Sequence, residues 1–112
     1  MFNYLLESEA DDFLVYVVPK SLFSHPRFSS LTAESKVLYG VLLDMVDQSM
    51  DEGYVDESNH VYVLYSIASI CRDFCCTSEK AALMLKELEQ FGLVFTAQER
   101  IYVKNFKVER EE

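Results

Sequence analysis

The 112-residue chain has no tryptophan, two prolines, three glycines and three cysteines, and each shortage closes off a reading. Gly40, Gly53 and Gly92 stand far apart, so no glycine-rich loop is available to cradle a phosphate. Uninterrupted apolar runs last only a few residues, well short of the ~20 that a membrane-spanning helix requires. The first residues carry no basic leader and no small-residue cleavage site, so the expectation is a cytoplasmic protein without a secretory signal. There is no His-x-x-x-His and no nucleophile motif, hence no constellation of acid, base and nucleophile, and neither an enzyme nor a cofactor is expected.

Cys71, Cys75 and Cys76 fall within six residues of one another, and His25 and His60 lie in unrelated segments. This spacing cannot complete a four-ligand zinc site, and it offers no distant pair for a disulfide. The thiols are expected to be small buried apolar groups in a reducing compartment. Six acids between Asp44 and Glu57 suggest a calcium loop, but no register there supplies alternating oxygen ligands, a central glycine and a terminal glutamate. No metal is expected.

Basic charge is also scarce, ten Lys and Arg against nineteen Asp and Glu for a net −9, and its distribution matters more than its sum. Residues 1–12 are an acidic arm of net −4, and residues 13–60 also carry −4. Residues 61–108 carry Arg72, Lys80, Lys86, Arg100, Lys104 and Lys107 against five acids, for +1. A nucleic acid that touches this chain would touch that part.

What the sequence does contain is a run from Ser66 to Phe106 that reads as helix, turn, helix and hairpin. Ile67, Ile70, Cys71 and Phe74 recur at steps of three and four residues, the signature of a short amphipathic helix. Thr77 or Ser78 offers a hydroxyl to cap a second helix, which Phe91-Gly92 closes. Within it Ala81, Met84, Leu85, Leu88 and Phe91 form one stripe, leaving Ser78, Glu79, Ala82, Leu83, Lys86 and Gln90 outward, the row such a helix would present to a major groove. After Gly92 the apolar period drops to ~2, so Leu93 to Thr96 and Ile101 to Phe106 are predicted strands of a wing joined at Ala97-Gln-Glu-Arg. Upstream, Phe13 to Val18 and Val61 to Tyr65 are also predicted strands. Pro19 opens a short helix ending near Phe23, and Thr32 caps a long helix carrying Val37, Leu38, Val41, Leu42, Met45 and Val46. The expected fold is α+β, one winged helix-turn-helix domain over 1–112 with three to four helices and a small antiparallel sheet. Residues 66–91 form the helix-turn-helix, and residues 93–106 the wing.

Several ordered pieces carry a resemblance: Val18-Pro-Lys-Ser-Leu-Phe, Leu31-Thr-Ala-Glu-Ser-Lys-Val-Leu-Tyr-Gly-Val-Leu-Leu-Asp, Val55-Asp-Glu with Val61-Tyr-Val, Lys80-Ala-Ala-Leu-Met-Leu-Lys-Glu-Leu-Glu, Gly92-Leu-Val, and Arg100-Ile-Tyr-Val-Lys-Asn-Phe. Together they resemble the replication initiator protein A N-terminal family (RepA_N) of bacterial plasmids, which is similar also to the N-terminal domain of DnaD primosomal proteins. The resemblance implies a winged-helix domain that binds repeated origin sites on double-stranded DNA as a homodimer, alongside other replication proteins. Since family members are much longer, it also implies an excised domain or a short relative. On this reading Thr77, Ser78, Lys80, Leu83 and Lys86 lie near bases or phosphates, and Arg100, Lys104 and Lys107 on the flanking backbone. The chain departs from the family in Met45, where a basic residue is usual, in Tyr54, where a Trp is usual, and in a wing loop shortened to Ala97-Gln-Glu-Arg. A short loop with one acid and one base gives up phosphate contacts. The alternative reading is therefore a winged-helix protein-interaction module with little or no DNA binding.

Overall fold

The computed structural model describes residues 1–9 and 14–105. Pro19 precedes α1 (Ser21–Ser24), and a 3-10 turn follows at Pro26–Phe28, where the His25 ring nitrogen accepts from Arg27 N–H. The long α2 (Ala33–Asp51) starts at Thr32, whose hydroxyl accepts from Ser35 N–H. Then come α3 (Ile67–Phe74), capped in the same way by Ser66, and α4 (Ser78–Gln90), capped by Thr77. Each cap satisfies an amide that the first helical turn leaves without a partner. The hairpin of β1 (Val94–Ala97) and β2 (Arg100–Val103) closes the order, in the register Val94 with Val103 through Ala97 with Arg100.

The predicted helices all appear, but two predicted strands do not. Residues 14–18 join no ladder among the described residues, and Phe13 lies outside them. Leu14 to Val17 are exposed, and the segment passes over α2 at Gly40, where an added Cβ would sit 2.6 Å from a Val18 methyl and 3.1 Å from the Val17 carbonyl oxygen. The predicted strand from Val61 to Tyr65 shrinks to isolated bridges, Val55 with Val61 and Val63 with Ile101. Val63 and Ile101 exchange both backbone bonds, at 2.8 and 3.0 Å, so this segment is fastened to the wing by one residue pair.

The core draws on every helix and the hairpin: Leu22, Phe28, Leu38, Leu42, Val63, Ile70, Met84, Leu88, Leu93, Val94 and Ile101 are all buried. Each fully buried leucine removes enough apolar surface from water to contribute about 1.5–3 kcal/mol. Gly92, at φ 78°, ends α4: its amide donates to Glu89 C=O and that of Leu93 to Leu88 C=O, while Leu88 and Leu93 both enter the core. These paired bonds and the apolar contact form a Schellman cap, which turns the chain from α4 into the hairpin. Tyr39 on α2 donates its hydroxyl to Lys104 C=O at 2.8 Å, anchoring the far end of β2, and its burial pushes the phenol up to about 12.

The turn between α3 and α4 holds a departure from expectation. Cys71 and Cys76 are half-buried against the core, but Cys75 is exposed and left-handed, at φ 54° and ψ 49°. The chain must reverse there within three residues, and the position is one that glycine ordinarily fills. A side chain in this conformation costs roughly 1–2 kcal/mol, partly offset by the larger unfolded-state entropy that glycine brings. Cys75→Gly is therefore expected to stabilise the fold by about 0.5–1 kcal/mol, read as a higher urea midpoint with unchanged slope; a lower midpoint would contradict it.

Candidate nucleic-acid interface

The α4 stripe divides as its period requires. Ala81, Met84 and Leu88 are buried, whereas Ser78, Glu79, Ala82, Leu83, Lys86 and Gln90 are all exposed, with Leu83 at 63%. Helical spacing puts Lys80 and Glu87 on the flank facing α2, and Glu89 on the flank facing the hairpin. Both flanks are fastened. On the hairpin side Thr96 donates its amide and hydroxyl to the Glu89 carboxylate at 3.3 to 3.4 Å. On the α2 side Glu87 Oε1 accepts from Ser35 Oγ at 2.5 Å, Thr32 Oγ1 at 2.7 Å and Thr32 N–H at 3.4 Å. Burial pushes the Glu87 carboxyl up, but hydrogen bonds from Ser35 and Thr32, with the nearby Lys80 charge, outweigh it and hold the group below the ordinary glutamate range.

Thr77 acts as the cap of α4, accepting from Lys80 N–H at 3.1 Å, while Ser78 is exposed. Lys80 reaches toward the start of α2, where its Nζ lies 3.8 Å from Glu34 Oε2. Lys80, Leu83, Lys86 and Gln90 line one shallow depression with Thr32 and Ser35. The remaining basic residues lie elsewhere. Arg100 stacks its guanidinium 4.2 Å over the Tyr62 ring, on the outer hairpin face that alternation gives to Phe95 and Tyr102. A hydrogen bond involving Tyr102 raises its already high pKa further. Lys104 lines grooves between α2 and β2 with Val46 and Val103. Lys80 and Lys86 thus share one depression, whereas Arg100 and Lys104 line others. Lys107 lies outside the described residues. Lys36 is 8% exposed with its ammonium 4.6 Å over the Phe23 ring, so it belongs to the packing of α1 on α2.

Sequence spacing gave no sign of Glu34 and Glu87, because their partners lie 46 and 52 to 55 residues away. Nor did it show the outer face of the hairpin, where Tyr54, Tyr62, Tyr102 and Phe95 form a chain of ring contacts at 5.7 to 6.1 Å. Asp56 braces this cluster: one carboxylate oxygen accepts from Ser58 and His60 amides and the other from the Tyr102 hydroxyl.

Helix, left-handed turn, helix and two-stranded hairpin, with an exposed row on the second helix, define a winged helix-turn-helix domain. The chain belongs to the family described as the replication initiator protein A (RepA) N-terminus, whose model matches residues 14–112. Three solved structures are similar to it. One, described as the N-terminal domain of a DNA-binding protein, has a TM-score of 0.76 at 25% identity, covering 99% of this chain and 95% of the other. Another, described as an MDR initiator, has a TM-score of 0.76 at 20% identity over 97% and 98%, a likeness of fold. The third, a Rep-DNA complex, has a TM-score of 0.74 at 27% identity over 97% and 94%. A comparison with curated proteins finds no match. No helix among the described residues is long and apolar enough to cross a membrane.

Proposed function

We propose that this chain is the DNA-binding domain of a plasmid-type replication initiator in the cytoplasm, reading repeated origin sites on duplex DNA as a homodimer. The observation that carries this is the exposed row of α4, with its amides opening at Thr77 and Ser78 and Lys80 and Lys86 on one surface. Family membership and the likeness to a Rep-DNA complex support it. Ser78 and the free amides of the first turn suit a phosphate, Lys80 and Lys86 add charge, and Leu83 faces base edges. Arg100 and Lys104 would touch flanking backbone, and Lys107 is proposed on sequence grounds alone. On this reading residues 66–91 are the helix-turn-helix and 93–106 the wing of one domain, Phe106 lying outside the described residues.

The dimer is proposed from the N-terminal arm, where Phe2, Tyr4, Leu5 and Leu6 are exposed and would gain by burial against a second protomer. The chain of aromatic rings on the outer hairpin face favours a second reading, a module that docks another replication protein, since such residues with arginine are typical of interface centres. Fluorescence anisotropy with a labelled duplex carrying origin repeats, at several salt concentrations, decides between them. The expected result is salt-dependent binding, with the full chain dimeric in sedimentation equilibrium and a version starting at Asp12 weakened in self-association. No binding at low salt would leave the docking module, and a monomer at high micromolar concentration would remove the dimer.

A further inference from the structure

Lys80 is the basic residue nearest the start of α4, yet its ammonium is directed along the protein surface to the first turn of α2. There it meets Glu34 Oε2 at 3.8 Å, and it lies close enough to Glu87 to lower that carboxyl. The two carboxylates differ. Glu87 is tied down by Ser35 and the Thr32 cap, whereas Glu34 has a half-exposed side chain and stands beside the depression that Lys80, Leu83, Lys86 and Gln90 line. A carboxylate at that point occupies the charge position that a DNA phosphate approaching α4 would take.

We propose that Glu34 is an intramolecular competitor for phosphate at Lys80, and so sets how tightly the first turn of α4 holds the duplex; this rests on the DNA-binding reading above. When DNA arrives, Lys80 exchanges one anion for another. Glu34, left without its partner, draws a cation back from solution, which cancels about one of the counterions that the phosphate contact releases. The pair is exposed on both sides, so the effect is bounded by what surface ion pairs contribute. Glu34 is a positioning residue in this scheme, acting on DNA through Lys80.

Four proteins test it against a labelled duplex carrying origin repeats: the parent, Glu34→Gln, Lys80→Ala and the double variant. Glu34→Gln is expected to bind about two- to fivefold tighter at low salt, with a salt slope steeper by up to about one unit and an unchanged thermal midpoint. The gain should vanish when Lys80 is already Ala. Glu79→Gln, which removes an acid from the exposed row without freeing Lys80, should keep its gain in the Lys80→Ala background. Unchanged affinity for Glu34→Gln, or a gain that persists without Lys80, would overturn the competition while leaving DNA binding intact. No binding by the parent at low salt would overturn both.

Discussion

Replacing Lys80 and Lys86 together by alanine is expected to weaken binding to an origin-repeat duplex and to flatten its salt dependence by about one unit, that of the Lys86 phosphate, because the counterion released at Lys80 is offset by the cation that Glu34 draws back. A lysine paired with a phosphate makes affinity scale with salt to a power of about 0.9, so between 1 M and 0.1 M salt each contributes about eightfold. At 0.1 M salt the double variant therefore loses roughly eightfold through Lys86, together with the smaller net contribution that Lys80 makes after giving up Glu34. Lys36→Ala is not a fair comparison on α2, because Lys36 is buried over Phe23 and its removal would loosen the packing of α1. Lys20, exposed on the loop before α1, is the better control and should leave both affinity and slope unchanged. Equal losses for Lys20→Ala and the double variant would show that only net charge is being felt.

A second large effect is expected at Glu87, whose carboxylate holds the start of α2 against α4. Glu87→Ala leaves the fully buried Ser35 hydroxyl without its charged acceptor and removes two bonds from Thr32. Losing charge-assisted bonds at a partly solvated site should cost about 1–2 kcal/mol. The pH dependence follows from the direction of the shift. Burial raises the carboxyl pKa, the Ser35 and Thr32 bonds lower it more, and the net depression means that the folded state favours the ionised form. That contribution is fully present above the ordinary glutamate value of 4.5 and is lost as the pH falls through the folded value. Urea titrations at neutral and acidic pH should show the parent losing this increment on acidification, and Glu87→Gln starting lower and changing less. Parallel pH profiles for the two would remove Glu87 from this role.

Local patterns in the sequence carried α2, α3 and α4 and the cap of α2 at Thr32, and narrowed the α4 cap to Thr77 or Ser78, of which Thr77 serves; the Ser66 hydroxyl that caps α3 follows the same three-residue spacing but was not anticipated. The hairpin was readable from the change of period after Gly92, but not its loop: Ala97 and Arg100, expected in the connection, pair in the ladder and leave a two-residue turn, β2 ends at Val103, and Phe106 lies outside the described residues. Strands without local partners were not readable. Phe13 to Val18 has the composition of a strand, yet a strand needs a neighbour to pair with, and residues 14–18 instead lie against α2, where the small Gly40 leaves room. Val61 to Tyr65 keeps its alternation, with Val63 and Tyr65 buried and Leu64 exposed, but pairs with the wing only at Val63. For the site, the exposed row of α4 followed from helical geometry, whereas the direction of each cation depended on partners far along the chain. Glu34 draws Lys80 to one side and Tyr62 draws Arg100 to another, and no spacing rule anticipates either.

The two-residue turn of the hairpin, with Gln98 at φ 56°, ends the wing immediately beyond the Ala97 and Arg100 pair. On the DNA-binding reading proposed above, a wing this short adds little reach along the duplex, and with α4 in a major groove the footprint would be set by the body of the domain. Its two shorter dimensions, 33 and 31 Å, span about nine base pairs at ~3.4 Å per step. Sites repeated one helical turn apart could then be filled side by side, with adjoining copies near enough to touch, and crowding along the array would be governed by repeat spacing.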